Sequence, residues 1–143
     1  MRKIILAMFC MLFTVSMARA ADAPIVVTGA WVRASLGQSG TTAGYMKIEN
    51  RGASEDKLLS VAMPSAGMAH LHESTMKDGI MQMKAVDSLV LKPGQSLEMK
   101  PGAMHIMVMG LKSALKAGET VRLDLQFEYA GRISVDAEVR AVK

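Results

Sequence analysis

The 143-residue sequence predicts an all-β domain built as a Greek-key sandwich or barrel. Apolar and polar residues alternate with a period of two along most of the chain, which is typical of strands with one buried face. Turn-forming residues recur about every 8–12 positions, as expected for an antiparallel β architecture. No stretch of ordinary helix length carries the 3.6-residue apolar period.

The individual strands follow from this alternation. Extended segments are predicted at residues 25–33, 42–49, 56–62, 69–76, 80–86, 96–99, 103–109, 120–128 and 132–139. Turns are predicted at residues 50–52 (NRG), 92–94 (KPG) and 101–102 (PG), where Gly or Pro breaks the alternation. Residues 110–118 are expected to form a short irregular or 3₁₀ segment.

The dipeptide Asp78-Gly79 separates two extended runs, which is the strongest short-range signal for a β-hairpin. A two-residue loop there would place His72 opposite Ala85 and make Met83 the diagonal neighbour of His72 on one face. A three-residue loop would shift the register by one residue and put the two side chains on opposite faces. The length of this turn therefore decides whether they can meet.

The N-terminus has the pattern of a secretory signal peptide. Arg2 and Lys3 precede an apolar run over residues 4–16, and Ala18-Arg19-Ala20 is a small-x-small cleavage site. The run is too short to span a bilayer as a stable helix. We therefore expect a signal peptide at residues 1–20 and a single domain at residues 21–143, without stable membrane insertion after cleavage.

Cleavage would remove Cys10, the only cysteine. Phe9 precedes it where a lipoprotein box would have a small residue, which disfavours lipidation at this position. Without cysteine the mature domain has no disulfide, and it cannot form a blue-copper electron-transfer site, which requires a thiolate. Cleavage also removes three basic residues and lowers the formal net charge from +4 to about +1. The charge therefore gives no indication of nucleic-acid binding.

Methionine and histidine cluster in the mature domain. Ten of the fourteen methionines remain after cleavage, and eight of these lie between Met63 and Met107 together with all three histidines. Core filling explains most methionines but not this clustering. Four of the residues have the spacing H-x10-M-x21-H-x-M, namely His72, Met83, His105 and Met107. Imidazole combined with soft, neutral thioether favours Cu(I) over Zn(II), Mg(II) or Ca(II), so we predict a Cu(I) site.

The remaining candidates have ordinary interpretations. His105 and Met107 share a face because side chains alternate along a strand. The second pair of ligands is expected from this strand, across the site from the hairpin. His70 is expected to be a surface residue or a reserve ligand, and Met68 a cap over the metal or a loop contact. Met81, Met104 and Met109 are expected in the core or at the rim.

The ligand spacing resembles the motif of the periplasmic copper chaperone PCu(A)C family, and the resemblance covers nearly the whole mature chain. The matching blocks are residues 30–34 (AWVRA), 43–50 (AGYMKIEN), 71–73 (LHE), 79–83 (GIMQM), 97–102 (LEMKPG) and 105–112 (HIMVMGLK). The resemblance implies a cupredoxin-like sandwich that binds one Cu(I) per chain in the periplasm. It also implies delivery to the dinuclear copper centre of cytochrome c oxidase, alone or beside a Sco-type thiol protein. Some members carry a His/Met-rich tail for a second copper, and the ending at residues 140–143 (RAVK) predicts no such site.

Two other functions remain open. A periplasmic copper-buffering or resistance protein without a dedicated acceptor could use the same site, and a Met-rich structural sandwich would bind no metal. The sequence contains no nucleophile–base motif, Gly-rich phosphate loop or carboxylate pair that we could identify, so we do not expect an enzyme.

Overall fold

A computed structural model describes residues 24–35 and 40–141. The predicted signal peptide and Cys10 lie outside these residues. Ten strands make up the described chain: β1 (Ile25–Arg33), β2 (Thr42–Asn50), β3 (Asp56–Ala62), β4 (Ala66–Lys77), β5 (Ile80–Val86), β6 (Leu89–Leu91), β7 (Ser96–Glu98), β8 (Met104–Leu111), β9 (Thr120–Phe127) and β10 (Arg132–Arg140). No helix within the described residues is long and apolar enough to cross a membrane.

The strands form a single sheet with the order β5-β4-β8-β2-β1-β10-β9-β3-β6, and β7 pairs with β2 outside this path. Neighbouring strands are antiparallel except β1 and β10, which pair in parallel. The sheet curls over on itself. At Gly44 on β2, a Cβ would lie 3.5 Å from Val32 and 3.7 Å from Leu123 on β9. These are ordinary van der Waals distances, so β2 packs closely against β9 at this point.

Apolar residues from both halves fill the space between them. The fully buried side chains include Phe127, Met46, Ile48, Leu58, Leu91, Ile106, Leu123, Leu125, Val32, Val108 and Val139. The core also contains Met63 and Met99. These three methionines therefore have the core-filling role expected of a flexible apolar side chain.

Asn50 is a buried polar residue that ties the loops at one end of the sheet together. Its Nδ2 donates hydrogen bonds to the carbonyl oxygens of Ser54 (2.8 Å) and Leu91 (2.9 Å). Its Oδ1 accepts a hydrogen bond from the backbone amide of Gly52 (3.0 Å). Because Leu91 ends β6, this side chain ties β6 to the end of β2.

The structure confirms the predicted strands, with small shifts at their ends. β4 begins at Ala66, three residues before the predicted start at residue 69. The predicted segment after β8 is irregular and contains a turn rather than a 3₁₀ helix. β6 was not predicted, since three residues between two turns show too little alternation to detect.

The hairpin loop has the two-residue length on which the site depends. Lys77 pairs with Ile80, so Asp78 and Gly79 alone form the loop. Both have positive φ, 52° for Asp78 and 74° for Gly79, as a loop matching the strand twist requires. The register places His72 opposite Ala85, as predicted.

Candidate metal centre

Three adjacent strands bring the four predicted ligands onto one face of the sheet. On β4 and β8, His72 lies directly opposite His105, and His70 lies opposite Met107. On β5, Met83 lies opposite Ser74 of β4, so it is the diagonal neighbour of His72. His72 is therefore central, with His105 beside it and one methionine on each diagonal.

The opposite face of the same strands belongs to the core. Leu71, Ile106 and Val108 point to that side and are buried. Core packing thus fixes the register, and the register fixes the positions of the ligands. The second pair of candidate ligands, His105 and Met107, lies on β8, the strand expected to supply it, and β8 is directly hydrogen-bonded to β4.

An open cleft lies over this face. Met83, His105 and Met107 line it, together with Met81 and Tyr45. His105 is only 6% exposed, whereas Met83 is 51% exposed. The candidate site therefore has a buried imidazole side and a thioether side that solvent or a partner can reach.

The ring of His105 has a defined orientation. Its Nδ1 lies 3.0 Å from the carbonyl oxygen of Ala103. A carbonyl oxygen can only accept a hydrogen bond, so Nδ1 must carry the proton and donate it. The lone pair is then on Nε2, which is left available as a metal donor. Such a bond to the non-ligating nitrogen is common among metal-binding histidines, because it fixes the tautomer.

Aromatic side chains also pack near the ring of His105. The Tyr45 ring centroid lies 6.5 Å from that of His105, and the Trp31 ring lies 4.4 Å from Tyr45. The Arg140 guanidinium covers Trp31 at 5.4 Å from the ring centroid. This row of packed side chains limits how far His105 can move.

His72 differs from His105 because its buried Nδ1 has no hydrogen-bond partner among the described residues, and this also suits a metal ligand. Burial, followed by the neighbouring His105 and His70, lowers the pKa of His72 below its usual range. The His72 and His105 ring centroids are 6.0 Å apart. A neutral imidazole with an unpaired buried nitrogen is an available donor for a cation.

The donor set is soft and uncharged. Within residues 24–35 and 40–141, no three His, Cys, Asp or Glu side chains come together in a way that could hold a metal ion. The methionines beside the two histidines supply thioether sulfur as further donor atoms on this face. Two imidazoles and two thioethers suit a soft monovalent cation and fit Zn(II), Mg(II) or Ca(II) poorly.

The other candidates from the sequence occupy clear positions. Met104 lies on the core side of β8 and packs against the core. Met81 is exposed at the rim of the cleft. Met68 is exposed and opposite Met109 on the ligand face, one row beyond the pair of His70 and Met107.

Two features of the site were not predicted from the sequence. The Ala103 carbonyl and the Tyr45 ring both orient His105. Tyr45 is on β2, which pairs with β8, and only that long-range pairing brings it near His105. No local signal in the sequence reveals the partner strand. The hydrogen bond from His105 to the Ala103 carbonyl could not be predicted either, because every residue has a backbone carbonyl and the sequence does not show which one a side chain will contact.

Comparisons with known proteins identify the family and the fold of the chain. The family model described as "Putative lipoprotein LpqE-like" matches residues 25–139. The "Putative lipoprotein Lxx21020" of Leifsonia xyli subsp. xyli (strain CTCB07) is 35% identical over 104 residues, which cover 72% of this chain and 61% of that protein. The chain thus spans about three fifths of the length of the curated relatives it matches.

Solved structures share the fold. The Cu(I) form of DR1885 from Deinococcus radiodurans is 31% identical, with a TM-score of 0.61 and coverage of 85% of this chain and 81% of that chain. The copper-bound PCuAC domain from PmoF2 has a TM-score of 0.70 at 24% identity, with coverage of 83% and 94%, and this likeness concerns the fold alone. The predicted all-β, cupredoxin-like fold is confirmed, and copper is the ion bound in both of these relatives. The chain belongs to the LpqE-like family, which is the PCu(A)C family whose motif its ligand spacing resembles.

Proposed function

We propose that this protein is a Cu(I) metallochaperone that holds one Cu(I) per chain through His72, Met83, His105 and Met107. The observation that carries this proposal is the placement of the four side chains on one face of β5, β4 and β8, around His72. Two imidazoles and two thioethers form the neutral, soft donor set that Cu(I) prefers. Copper is the cargo, and no chemical change is required of it.

The exposure of the site supports transfer rather than permanent storage. Met83 is half exposed at the rim of an open cleft, so an incoming ligand from a partner can approach the ion from that side. None of the four ligands is charged when it binds metal. Each can therefore release the ion without leaving an unpaired charge in a buried position, which would be costly.

We further propose that the protein works in the periplasm, after export, and is not an enzyme. Its acceptor would be the dinuclear copper centre of cytochrome c oxidase, reached directly or with a Sco-type thiol protein. Membership of the PCu(A)C family and the signal-like pattern of residues 1–20 support this role. The absence of cysteine after cleavage suits an oxidising compartment.

A Cu(I) competition titration of the mature protein, with X-ray absorption to identify the ligands, tests the site. We expect one Cu(I) per chain with mixed nitrogen and sulfur coordination. Single substitutions at the four ligands should each weaken binding. The site is misplaced if all four leave the Cu(I) affinity unchanged.

A deletion strain tests the acceptor. We expect loss of the protein to lower the copper content of cytochrome c oxidase at limiting copper, and re-expression to restore it. If only copper tolerance falls while the oxidase stays fully loaded, the protein is a buffering or resistance protein without a dedicated acceptor.

A further inference from the structure

Three methionines share one face near the tip of the β4–β5 hairpin, outside the core. Met76 pairs directly with Met81 across the two strands, and Met83 follows Met81 by two residues on the same face. Directly opposed residues in an antiparallel pair have Cβ atoms about 4.5–5.5 Å apart, and diagonal neighbours are within reach of long side chains. The register therefore brings three thioethers together, which we call the Met76–Met81–Met83 cluster.

Core packing does not account for this cluster. Met76, Met81 and Met83 are 66%, 56% and 51% exposed, and none belongs to the core or packs against it. Ile80, the other exposed apolar residue at the tip, is opposite Lys77 and belongs to the other face of the hairpin. What distinguishes the face of the cluster is therefore sulfur and not general hydrophobicity.

We propose that the Met76–Met81–Met83 cluster is a three-thioether transfer site for Cu(I), through which the ion enters and leaves the four-ligand site. Neutral thioethers are soft ligands that select Cu(I), so this cluster takes the same ion as the main site. The transfer site presupposes the four-ligand Cu(I) site proposed above, because Met83 belongs to both.

The shared methionine defines the transfer step. Met81 and Met83 line the same cleft as His105 and Met107. An ion bound by the cluster can keep its bond to Met83 while the bonds to Met76 and Met81 break and those to the main-site ligands form. Copper remains Cu(I) throughout, the thioethers carry no proton, and a neutral imidazole binds the ion without releasing one. Since Met83 serves both sites, they hold one ion in turn and not two together.

An equilibrium experiment tests whether the cluster binds metal. In a His105→Asn, Met107→Leu variant of the mature protein, we expect weaker Cu(I) binding with an X-ray absorption signal dominated by sulfur. Adding Met76→Leu and Met81→Leu should abolish this residual binding. If the first variant is folded by circular dichroism and binds no Cu(I), or if binding survives in the second, the cluster is not a copper site.

A kinetic experiment tests its role in transfer. A Met76→Leu, Met81→Leu variant retains all four main-site ligands, so its equilibrium Cu(I) affinity should match the wild type. Stopped-flow transfer of Cu(I) to a bicinchoninate chelator should be slowed severalfold, because the outer thioethers no longer hold the departing ion. The matched control is Met68→Leu, since Met68 is 55% exposed on the same face of β4 but far from the hairpin tip. An unchanged transfer rate, or equal slowing in the control, would overturn the transfer site.

The two proposals can fail separately. If substitutions at His72 and His105 leave Cu(I) affinity unchanged, the four-ligand site is wrong and the transfer site falls with it. If those substitutions weaken binding while the Met76→Leu, Met81→Leu variant transfers copper at the wild-type rate, only the transfer site is wrong.

Discussion

His72 and His105 differ in how firmly their surroundings hold the imidazole ring. His105 is fixed by its hydrogen bond to Ala103 and by the Tyr45 ring, whereas the buried Nδ1 of His72 has no partner among the described residues. Binding of an ion would therefore cost His105 little conformational entropy, because its ring is already oriented. His72 is the ring that can adjust to the ion.

Acidification should weaken Cu(I) binding through these histidines, because a proton competes with the metal for each imidazole. The lowered pKa of His72 keeps its ring neutral to a pH below the usual value of about 6.5, so its share of the loss should begin at more acid pH. Thioethers do not titrate, and some affinity should survive. The measurement is a Cu(I) titration at neutral and mildly acid pH, corrected for the response of the probe.

The double variant His72→Met, His105→Met is the control for this pH effect. It should lose most of the pH dependence and retain some Cu(I) binding, since sulfur replaces both titrating donors. Full wild-type pH dependence in this variant would show that neither histidine holds the metal.

Substitution of Met107 by leucine should leave the fold intact, because the change conserves volume and hydrophobicity. Cu(I) affinity should fall by at least about tenfold, the lower end of what the loss of a supporting partner costs at metal sites. Met109→Leu is the matched control, since Met109 is on the same face of β8 but opposite Met68, away from His72. Competition titrations of both variants measure the effect, and equal losses would mean that Met107 has no special role.

Metal selectivity follows from the same donor atoms. We expect a strong preference for Cu(I) over Zn(II), because thioethers contribute little to Zn(II) binding. Cu(II) should bind more weakly or with different ligands. Similar Cu(I) and Zn(II) affinities, measured in one buffer, would contradict the assignment of Met83 and Met107 as ligands.

At the scale of strands, the sequence predicted what depends on local pattern and missed what depends on distant pairing. The Asp78-Gly79 loop and its register could be predicted, because turn chemistry and alternation are local. The pairing of β4 with β8 could not, because the two strands are far apart in sequence and packing of Leu71 against Ile106 decides their alignment. The four candidate ligands could therefore be chosen by spacing, but their arrangement could not be predicted.

The substitution Gly79→Ala tests how far the site depends on the hairpin. Gly79 has a φ of 74°, which costs a residue with a side chain about 1–2 kcal/mol. We expect faster hydrogen exchange in β5 and weaker Cu(I) binding, since Met83 loses its fixed position beside His72. Isothermal Cu(I) competition and amide exchange by mass spectrometry measure the two effects.

Gly94→Ala is the control for this change. Gly94 also has a φ of 74°, but it lies in the turn between β6 and β7, away from the ligands. It should lower stability to a similar extent without changing Cu(I) affinity. A loss of affinity in Gly94→Ala would mean that general destabilisation, and not the hairpin, explains the result at Gly79.

At the scale of the whole molecule, the buried polar group that ties the loops together and the proposed copper ligands lie in different regions. The proposed ligands lie on β5, β4 and β8, while Asn50 joins the loops at the end of β2 that is away from its pairing with β8. Asn50 has 0% exposure, so a variant without its amide leaves buried backbone groups unpaired.

Asn50→Ala should therefore destabilise the protein by about 1–3 kcal/mol while leaving the Cu(I) affinity of the folded protein unchanged. Urea denaturation measures the first quantity and competition titration the second. The control is Gln95→Ala, because Gln95 accepts an exposed hydrogen bond from the Lys92 amide nearby and its loss should cost about 0.5 kcal/mol or less. Equal destabilisation by the two variants would contradict the importance of Asn50.

The position of β5 at the end of the strand order has a consequence for self-association. Its outer edge pairs with no other described strand, and an uncovered edge can recruit a strand from another molecule. Methionine is unbranched at Cβ and favours extended pairing less than valine or isoleucine does, and Lys84 adds a charge to the same edge. Methionine in place of a β-branched residue thus lowers the tendency of this edge to recruit another strand. Valine at Met81 and Met83 would remove the thioethers and at the same time turn β5 into a template for aggregation.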